Sequence, residues 1–458
     1  MEKTAIEQIE LRKEEFIILS NRIWCQPEVA FQEYHTSTLI ADYLEKNGFT
    51  VEREIAGLKT AVKAVWGEGS PSIGFLGELD ALPGLSQKIS TTKEAFCENG
   101  NGHGCGHNLV AVAHLAAVLG LKEQMKKENL PGSIVYYGCP GEEAGTGKLY
   151  MARGHAFDDI DCFIHFHPGQ MNMTGISAIS SCSAKFHFTG RTAHPSINPE
   201  DGRSALEGAE LMNIGANYLR AHLTNHSSIS YVFTDGGDVP NIIPDRASLL
   251  YDLRALRRST VYQIYHRLQE IAEGAARMSG TKVKPLLLGC TYDLLNNSVF
   301  MKLLERCFDE IPQEEYSEKE IKFMRALNED DREYTKKMRE SLGADTEDEI
   351  HRGLEPMQMN FGSTDVGDVS YIVPGITFRT ACYPLGVEGH TWKSTACSGH
   401  SIGHKGMIRA AKIMAEFTLH LLKNPQILQA AKNEFAIETE EKPYICSIDE
   451  TVPLPDQL

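Results

Sequence analysis

The stretch Gly102-His103-Gly104-Cys105-Gly106-His107-Asn108 places one thiol and two imidazoles among glycines, close together in the chain. Because glycine tolerates tight bends of the backbone, the neighbouring side chains are able to converge on one point. Cys sulfur and His nitrogen are good ligands for zinc and other divalent transition metals. The stretch therefore indicates a metal site, and the simpler alternative is a glycine-rich loop with a buried Cys and a packed His.

An apolar, alanine-rich run from Leu109 to Leu121 follows this stretch and contains no Pro. It predicts a buried helix with Asn108 as the N-cap residue. Cys105 and His107 would then lie just before the helix, where the positive end of the helix dipole favours a thiolate.

Composition excludes several classes of protein. With 458 residues, the chain is long enough for two or more domains and a large core. Its formal net charge of −17 argues against nucleic acid as a partner. The eleven cysteines, without paired spacing, indicate free thiols in a reducing compartment. Because the sequence shows neither an apolar signal core nor a run long enough to cross a membrane, we expect a soluble, cytoplasmic protein.

Segments with strand character alternate with helical segments in the first part of the chain, at 58–66, 72–79, 133–138 and 162–167. This alternation predicts an α/β domain with a mostly parallel, mixed sheet that is covered by helices. Binding sites in such sheets form where the strands end at their carboxyl edge.

A different order begins near residue 182. Strands and helices follow in the order β-α-β-β-α-β, which is that of a ferredoxin-like unit. We therefore predict an α+β domain at 182–290, inserted into a larger α/β domain that is made of 1–181 and 291–458.

The second part of the larger domain, 291–458, has a less regular pattern of helical and strand segments. Residues 313–352 are highly charged and predict a solvated helical excursion. Residues 357–364 and 375–381 have strand character, and 401–422 predict a last long helix.

Acidic residues follow two of the predicted strands. Glu78 and Asp80 emerge at the end of the segment 72–79, and Glu142 and Glu143 follow a Pro-Gly turn. One of two adjacent carboxylates is able to bind a metal while the other moves a proton, which is a division of labour that hydrolytic metal sites need. The alternative for the Glu pair is the first turn of a helix, where the dipole favours acids.

Histidines lie near two further strands. Because side chains alternate along a strand, His165 and His167 share one face, and either could reach the site. His390 lies between the predicted strand 375–381 and the last helix, and His400 and His404 compete with it as candidates.

The inserted segment carries polar residues at the predicted ends of its elements, namely His194, Asn241 and Arg254. These side chains could bind the carbonyl and the carboxylate of a substrate, since Arg matches a carboxylate with two parallel hydrogen bonds. The alternative is that each is an ordinary polar loop residue.

Taken together, these segments resemble the motifs of the dinuclear metal aminoacylase and carboxypeptidase family, in its N-acyl-amino-acid amidohydrolase branch. The resemblance covers almost the whole chain in the right order. Its motifs are 77–83 (GELDALP), 104–108 (GCGHN), 141–145 (GEEAG), 167–169 (HPG), 190–195 (GRTAHP), 363–370 (STDVGDVS) and 390–392 (HTW).

The resemblance implies a catalytic domain with an inserted dimerisation domain, also called a lid. It also implies two divalent metal ions for each chain, and we expect zinc or manganese. The implied metal ligands are Cys105, His107, Glu143, His167 and His390. His167 is preferred to His165 because it follows Asp161 at the family's spacing and precedes the Pro-Gly.

The same resemblance assigns roles to residues around the metals. Glu142 matches the general base, and His194 matches a lid residue that reaches the active site of the partner subunit in a homodimer. Asn241 and Arg254 match the part of the lid that binds substrate. We expect Asp80 to orient a ligand histidine.

Two positions depart from the family pattern. The branch usually has Asp at the position of Asn108. Its p-aminobenzoyl-glutamate-like group has Asn there, as this chain does. Glu78 stands where more distant members carry a ligand histidine, so its role stays open.

The sequence therefore predicts a metal-dependent amidohydrolase that cleaves small N-acyl amino acids, p-aminobenzoyl-glutamate-like compounds or dipeptides through an activated water. Two alternatives stay open at this point. One is a non-catalytic metal-binding protein on the same fold, and the other is a hydrolase that uses Cys105 as its nucleophile.

Overall fold

The computed structural model describes residues 4–329, 332–342, 350–440 and 442–455. These residues form twelve strands in two sheets: β1 Thr50–Arg53, β2 Val62–Glu68, β3 Ser72–Glu78, β4 Gly132–Cys139, β5 Cys162–Gly169, β6 Asn172–Met173, β7 Ser180–Thr189, β8 Ser228–Asp235, β9 Arg246–Ala255, β10 Lys282–Cys290, β11 Leu354–Glu355 and β12 Gly375–Ala381.

Helices cover the sheets: α1 Ala5–Leu11, α2 Lys13–Trp24, α3 Tyr34–Lys46, α4 His107–Glu128, α5 Gly147–Arg153, α6 Ala205–Leu219, α7 Arg258–Ser279, α8 Ser298–Glu310, α9 Glu318–Leu327, α10 Arg332–Leu342, α11 Val366–Val369, α12 Trp392–Ser398, α13 Ser401–Lys423 and α14 Pro425–Glu438. Across the described residues, no helix is both long and apolar enough to cross a membrane.

The large sheet has eight strands in the order β1-β2-β4-β3-β5-β12-β6-β11. Its centre, β4-β3-β5-β12, is parallel throughout. Buried residues run almost without interruption along these central strands, as expected when helices cover both faces of a parallel sheet. The predicted α/β class with a mostly parallel mixed sheet is therefore confirmed.

The small sheet has four antiparallel strands in the order β10-β7-β9-β8, and α6 and α7 pack on it. Along the chain its elements follow as β7-α6-β8-β9-α7-β10, which is the ferredoxin-like order that the sequence predicts. The exact boundaries at 182 and 290 stay a prediction.

Helix α4 is the centre of the larger core. Every side chain from His107 to Leu121 is buried, between the sheet and α1, α2 and α13. A helix that is apolar all round has to be enclosed in this way.

The sequence prediction for the start of α4 is wrong by two residues. The N-cap residue is Gly106, in the left-handed conformation with φ 78°, and His107 is already the first helical residue. Asn108 lies inside the helix, where its side-chain amide donates hydrogen bonds to Ser20 Oγ at 3.0 Å and to Ser398 O at 2.9 Å. Asn108 therefore ties the helix to its neighbours and does not cap it.

Other segments differ from the predictions because the local hydrophobic pattern does not show where a helix or strand is interrupted. The N-terminal helical segment is divided at Arg12 into α1 and α2, and α14 follows the helix that was expected to be the last. The strand expected at 357–364 does not form, and the short β11 pairs with β6 instead. Strand β1 is an additional edge strand that the sequence prediction missed. Part of the charged segment 313–352 lies outside the described residues.

Gly106 offers a test of the turn that begins α4. A Cβ atom at this position would lie 2.4 Å from Tyr383 Oη and 2.8 Å from Pro168 Cγ, as well as in an unfavourable left-handed conformation. We expect Gly106→Ala to lower the thermal midpoint and the metal content of the purified protein, because Cys105 and His107 flank the displaced residue. The conformation alone should cost about 1–2 kcal/mol.

Gly69→Ala is the matched control for this variant. Gly69 also has a positive φ, of 83°, but nothing lies within 4 Å of its added Cβ. If both variants lose the same stability and both keep their metals, the collision at Gly106 has no effect and the expectation is wrong.

Candidate active site

Strands β3, β5 and β12 end at one edge of the large sheet, beside a cavity of about 870 Å³. The cavity is lined by residues of both sheets, including Cys105 and His167 on one side and Ser181 and Arg254 on the other. This is the position expected for a site in an open α/β sheet.

His107 is held at the centre of this edge. Its Nδ1 lies 2.9 Å from Asp80 O and 3.1 Å from Asp80 Oδ1, so this nitrogen carries the proton and donates it. The other nitrogen, Nε2, has a lone pair that points to the site. The second carboxylate oxygen of Asp80 accepts a hydrogen bond of 2.9 Å from Glu143 N. Asp80 therefore contacts both the ring of His107 and the loop that carries the Glu pair.

Cys105 lies between two groups of potential ligands. Its Sγ is 3.3 Å from His167 Nε2. Ligand atoms of Cys105, His107 and His167 lie within 4.8 Å of one another, and so do those of Cys105, Glu143 and His390. The structure thus brings together all five side chains that the sequence assigns as metal ligands.

The loop of His390 is tied to the loop of Cys105. His390 N donates a hydrogen bond of 2.9 Å to Gly104 O, and Ser394 Oγ donates one of 2.7 Å to the same oxygen. His390 has a left-handed backbone with φ 61°, an uncommon conformation for a residue other than glycine. Its Nε2 lies 3.4 Å from Glu143 Oε2. The two hydrogen bonds to Gly104 O therefore hold the loop in a conformation that places His390 opposite Glu143.

A third group consists of Glu78, His107 and Glu142, again with ligand atoms within 4.8 Å of one another. His107 Nε2 is 3.3 Å from Glu78 Oε2 and 3.8 Å from Glu142 Oε2. Burial, together with Glu78 and Glu143, raises the pKa of Glu142 well above the usual value for a carboxyl group. A carboxylate with a raised pKa accepts a proton from water more readily than an ordinary Glu does.

Lys148 neutralises part of this acidic group. Its ammonium is fully buried, 2.8 Å from Glu78 Oε1 and 2.7 Å from Asp365 Oδ1. Burial alone would raise the pKa of Glu78, but Lys148, His165 and His107 outweigh it and hold this pKa well below its usual value. Glu78 is therefore a fixed negative charge.

These residues fit divalent metal ions. Thiolate, imidazole and carboxylate are the donors that zinc and manganese use. His107 Nε2 and Glu143 Oε1 are buried and have no hydrogen-bond partner among the described residues. Buried polar atoms without partners are rare in folded proteins, so these two require a ligand that the chain does not supply. Several carboxylates also surround one His nitrogen, which favours cations.

The two candidate histidines of β5 face different neighbours. His167 Nε2 faces Cys105, whereas His165 Nε2 lies 3.3 Å from Glu78 Oε1 and its ring stacks on His114. His167 therefore shares a group of potential ligands with Cys105 and His107, and His165 contacts the fixed carboxylate behind them.

The lid residues are not all at the cavity of their own chain. Arg254 lines it, and its Nε donates a hydrogen bond of 2.9 Å to Asp252 Oδ2. His194 and Asn241 are exposed and do not line it. Their predicted roles would therefore require a change of lid position or a second subunit.

Sequence reasoning missed residues that act through long-range contacts. Lys148 lies on α5 without any local motif, and Asp365 is one residue of the motif 363–370, where nothing distinguishes it. Glu33 accepts hydrogen bonds of 2.8 Å from Gly141 N and from Thr60 Oγ1, and so holds the turn before Glu142. No pattern near these residues in the sequence could have indicated their partners.

Comparisons with known proteins agree with this geometry. Residues 176–278 match the family model described as a peptidase dimerisation domain. The chain is 33% identical to one of the subunits of the p-aminobenzoyl-glutamate hydrolase of Escherichia coli (strain K12), and the alignment covers 97% of each protein. It is 26% identical to the Xaa-Arg dipeptidase of Homo sapiens, over 98% of this chain and 96% of the relative.

Solved structures share the fold. A dinuclear metal-binding peptidase of the M20 family from Bacillus subtilis has a TM-score of 0.60 at 16% identity, covering 90% of this chain and 99% of its own. The aminobenzoyl-glutamate utilization protein of Klebsiella pneumoniae also has a TM-score of 0.60 at 16% identity, over 88% and 97%.

The fold and the site define an amide-bond hydrolase of the metallopeptidase class. The chain belongs to the M20 peptidase family, which is the dinuclear metal aminoacylase and carboxypeptidase family that its motifs indicate.

Lys148→Met tests the buried charge group. The variant keeps most of the volume of the side chain but leaves Glu78 and Asp365 buried without their cation. Removing one partner of a buried ion pair typically costs about 3–5 kcal/mol, so we expect a large fall in the free energy of unfolding. Chemical denaturation at pH 7 measures it.

Lys63→Met is the control for that loss. Lys63 pairs at 2.6 Å with Asp159, whose side chain is 65% exposed. A pair of this kind contributes at most about 1 kcal/mol. Equal losses in the two variants would mean that Lys148 does not compensate the buried acids.

Proposed function

We propose that the protein uses two divalent metal ions to hydrolyse the amide bond of N-acyl amino acids, with aroyl-glutamates and dipeptides as the substrate classes to test first. The observation that carries this proposal is the position of Glu142. A buried proton acceptor with a raised pKa lies beside the group of potential ligands, with Glu142 Oε2 3.8 Å from His107 Nε2. Relatives named as hydrolases of p-aminobenzoyl-glutamate and as Xaa-Arg dipeptidases support the substrate classes.

Cys105, His107, Glu143, His167 and His390 would hold the two ions. When bound, the ions polarise the scissile carbonyl and lower the pKa of the attacking water from about 15.7 towards about 7. The thiolate of Cys105 favours zinc, and the carboxylate of Glu143 favours manganese.

The residues of the chain supply the proton transfers. Glu142 accepts a proton from the attacking water and then donates it to the amine that leaves. Asp80 keeps His107 in the tautomer that leaves Nε2 free, and it holds Glu143 through the backbone. Lys148 keeps Glu78 ionised, so that the proton stays on Glu142 during the reaction.

The lid supplies contacts to the substrate. His194 of one chain would stabilise the negative oxygen of the tetrahedral state in the site of the partner subunit. Asn241 and Arg254 would bind the carboxylate of the amino acid that is released. These roles imply a homodimer formed through the inserted domain, for which we keep the boundaries 182 and 290. The exposure of His194 within its own chain supports an action in trans.

The geometry argues against Cys105 as a nucleophile. Cys105 belongs to two groups of potential metal ligands, so a bound ion would occupy its thiolate. A non-catalytic metal protein would have no need of Glu142, since structural sites do not transfer protons. All eleven cysteines are free, which supports a reducing compartment such as the cytoplasm.

Glu142→Gln tests the role of the proton acceptor. The amide fills the same volume but does not accept a proton, so we expect kcat for p-aminobenzoyl-glutamate to fall about 10²–10⁴-fold. Elemental analysis should still find the same metal content as in the wild type.

Glu68→Gln is the control for general effects of removing a carboxylate, because Glu68 is exposed at the end of β2. Unchanged turnover of Glu142→Gln with full metal content would contradict the proposed mechanism. Loss of metal from Glu142→Gln would instead make this residue a ligand.

Mixing two inactive variants tests the action of His194 in trans. Glu142→Gln and His194→Ala chains should both be inactive alone. In a mixed dimer, one site combines the intact Glu142 of one chain with the intact His194 of the other. After exchange of subunits we expect about a quarter of the wild-type activity to return.

Two results would contradict this expectation. If the exchanged mixture stays inactive although mixed dimers form, His194 acts in its own chain. If His194→Ala alone is fully active, this residue does not take part in catalysis. Native mass spectrometry of tagged chains measures the exchange itself.

A further inference from the structure

Arg379 lines the cavity next to the potential metal ligands. It stands on β12 in register with His167 on the parallel strand β5. Its aliphatic part crosses Gly169, where an added Cβ would lie 2.9 Å from Arg379 Cδ. Gly169 therefore leaves the room that the guanidinium side chain occupies.

The guanidinium has no partner within the described ranges of the chain. No hydrogen bond or ion pair joins it to a described residue, and its Nε is buried without a hydrogen-bond partner. Thr377, two residues earlier on the same face of β12, is fully buried, and its Oγ1 also lacks a partner although the residue lines the cavity. A partly buried cation whose Nε is buried without a partner, beside a buried hydroxyl that also lacks one, indicates a ligand.

The other Arg of the cavity differs in this respect. Arg254 Nε already donates to Asp252, whose other oxygen accepts a hydrogen bond of 3.1 Å from Ser181. Of the two Arg side chains that line the described cavity, Arg379 is thus the one whose charge is not balanced by a neighbouring carboxylate. The substrate is the natural source of an anion here.

We propose that Arg379 and Thr377 form a carboxylate-binding subsite, distinct from the one assigned to Arg254 and Asn241, that selects substrates with a second carboxylate. This subsite rests on the proposed amidohydrolase function. The planar guanidinium would bind the carboxylate through two parallel hydrogen bonds, and Thr377 Oγ1 would donate a third. The carboxylate comes from the side chain of the amino acid or from the acyl group.

Three substrates separate these sources, and all of them carry the α-carboxylate of the amino acid. The second carboxylate of p-aminobenzoyl-glutamate is on the amino-acid side chain, that of p-carboxybenzoyl-glutamine is on the acyl group, and p-aminobenzoyl-glutamine has no second carboxylate. We expect Arg379→Gln to raise KM for one of the first two by about 10- to 100-fold, the range for a hydrogen bond to a charged group. The kcat for that substrate and both constants for p-aminobenzoyl-glutamine should stay within about twofold.

The substrate that loses affinity identifies the source of the carboxylate. Arg379→Lys should recover part of the loss, because it keeps the charge but not the fork of donors. Thr377→Val has the same shape without the hydroxyl, and we expect a smaller loss on the same substrate alone. This second variant provides the test if Arg379→Gln does not fold or loses its metals.

Equal losses on all three substrates would overturn the proposal, because Arg379 would then serve the charge of Cys105 and not a substrate. The absence of any loss in both variants would overturn it as well. A wild-type protein that holds its metals and cleaves neither these three compounds nor dipeptides would overturn the proposed function, and the subsite with it.

Discussion

The carboxylate of Asp80 joins the parts of this site. One oxygen accepts a hydrogen bond from His107 Nδ1 at the start of α4, and the other accepts a hydrogen bond from the backbone N–H of Glu143 after β4. Asp80 itself follows the end of β3, the central strand between β4 and β5. A single buried anion thus fixes the tautomer of one potential ligand and the position of another, and the arrangement depends on three elements meeting at one edge of the sheet.

Charge compensation is the second constraint. Glu78, Glu142 and Glu143 surround His107 Nε2, and so many acids in a buried place are unfavourable unless cations balance them. Lys148 balances Glu78 permanently, together with Asp365. The remaining negative charge is available for metal ions. Glu78 is therefore held by a cation of the protein, whereas Glu142 and Glu143 remain available for metal ions and protons.

The cavity combines two sheets with different tasks. The large sheet presents the potential metal ligands at the ends of parallel strands, where backbone positions are rigid. The small sheet presents Ser181 and Arg254 from the opposite side, on an antiparallel unit that is related to dimerisation domains. The cavity therefore has potential metal ligands on one side and an Arg side chain on the other.

The sequence alone predicted the fold class and the order of the ferredoxin-like unit, because alternating hydrophobicity is a local property. The five ligand candidates came from the resemblance of its short motifs to those of a known family. It misplaced the cap of α4, since the backbone conformation of Gly106 depends on the packing of Tyr383 and Pro168 around it. Only the tertiary structure decided the contacts of Lys148 and Glu33. Their partners lie tens to hundreds of residues away, and contacts at that separation leave no local pattern in one sequence.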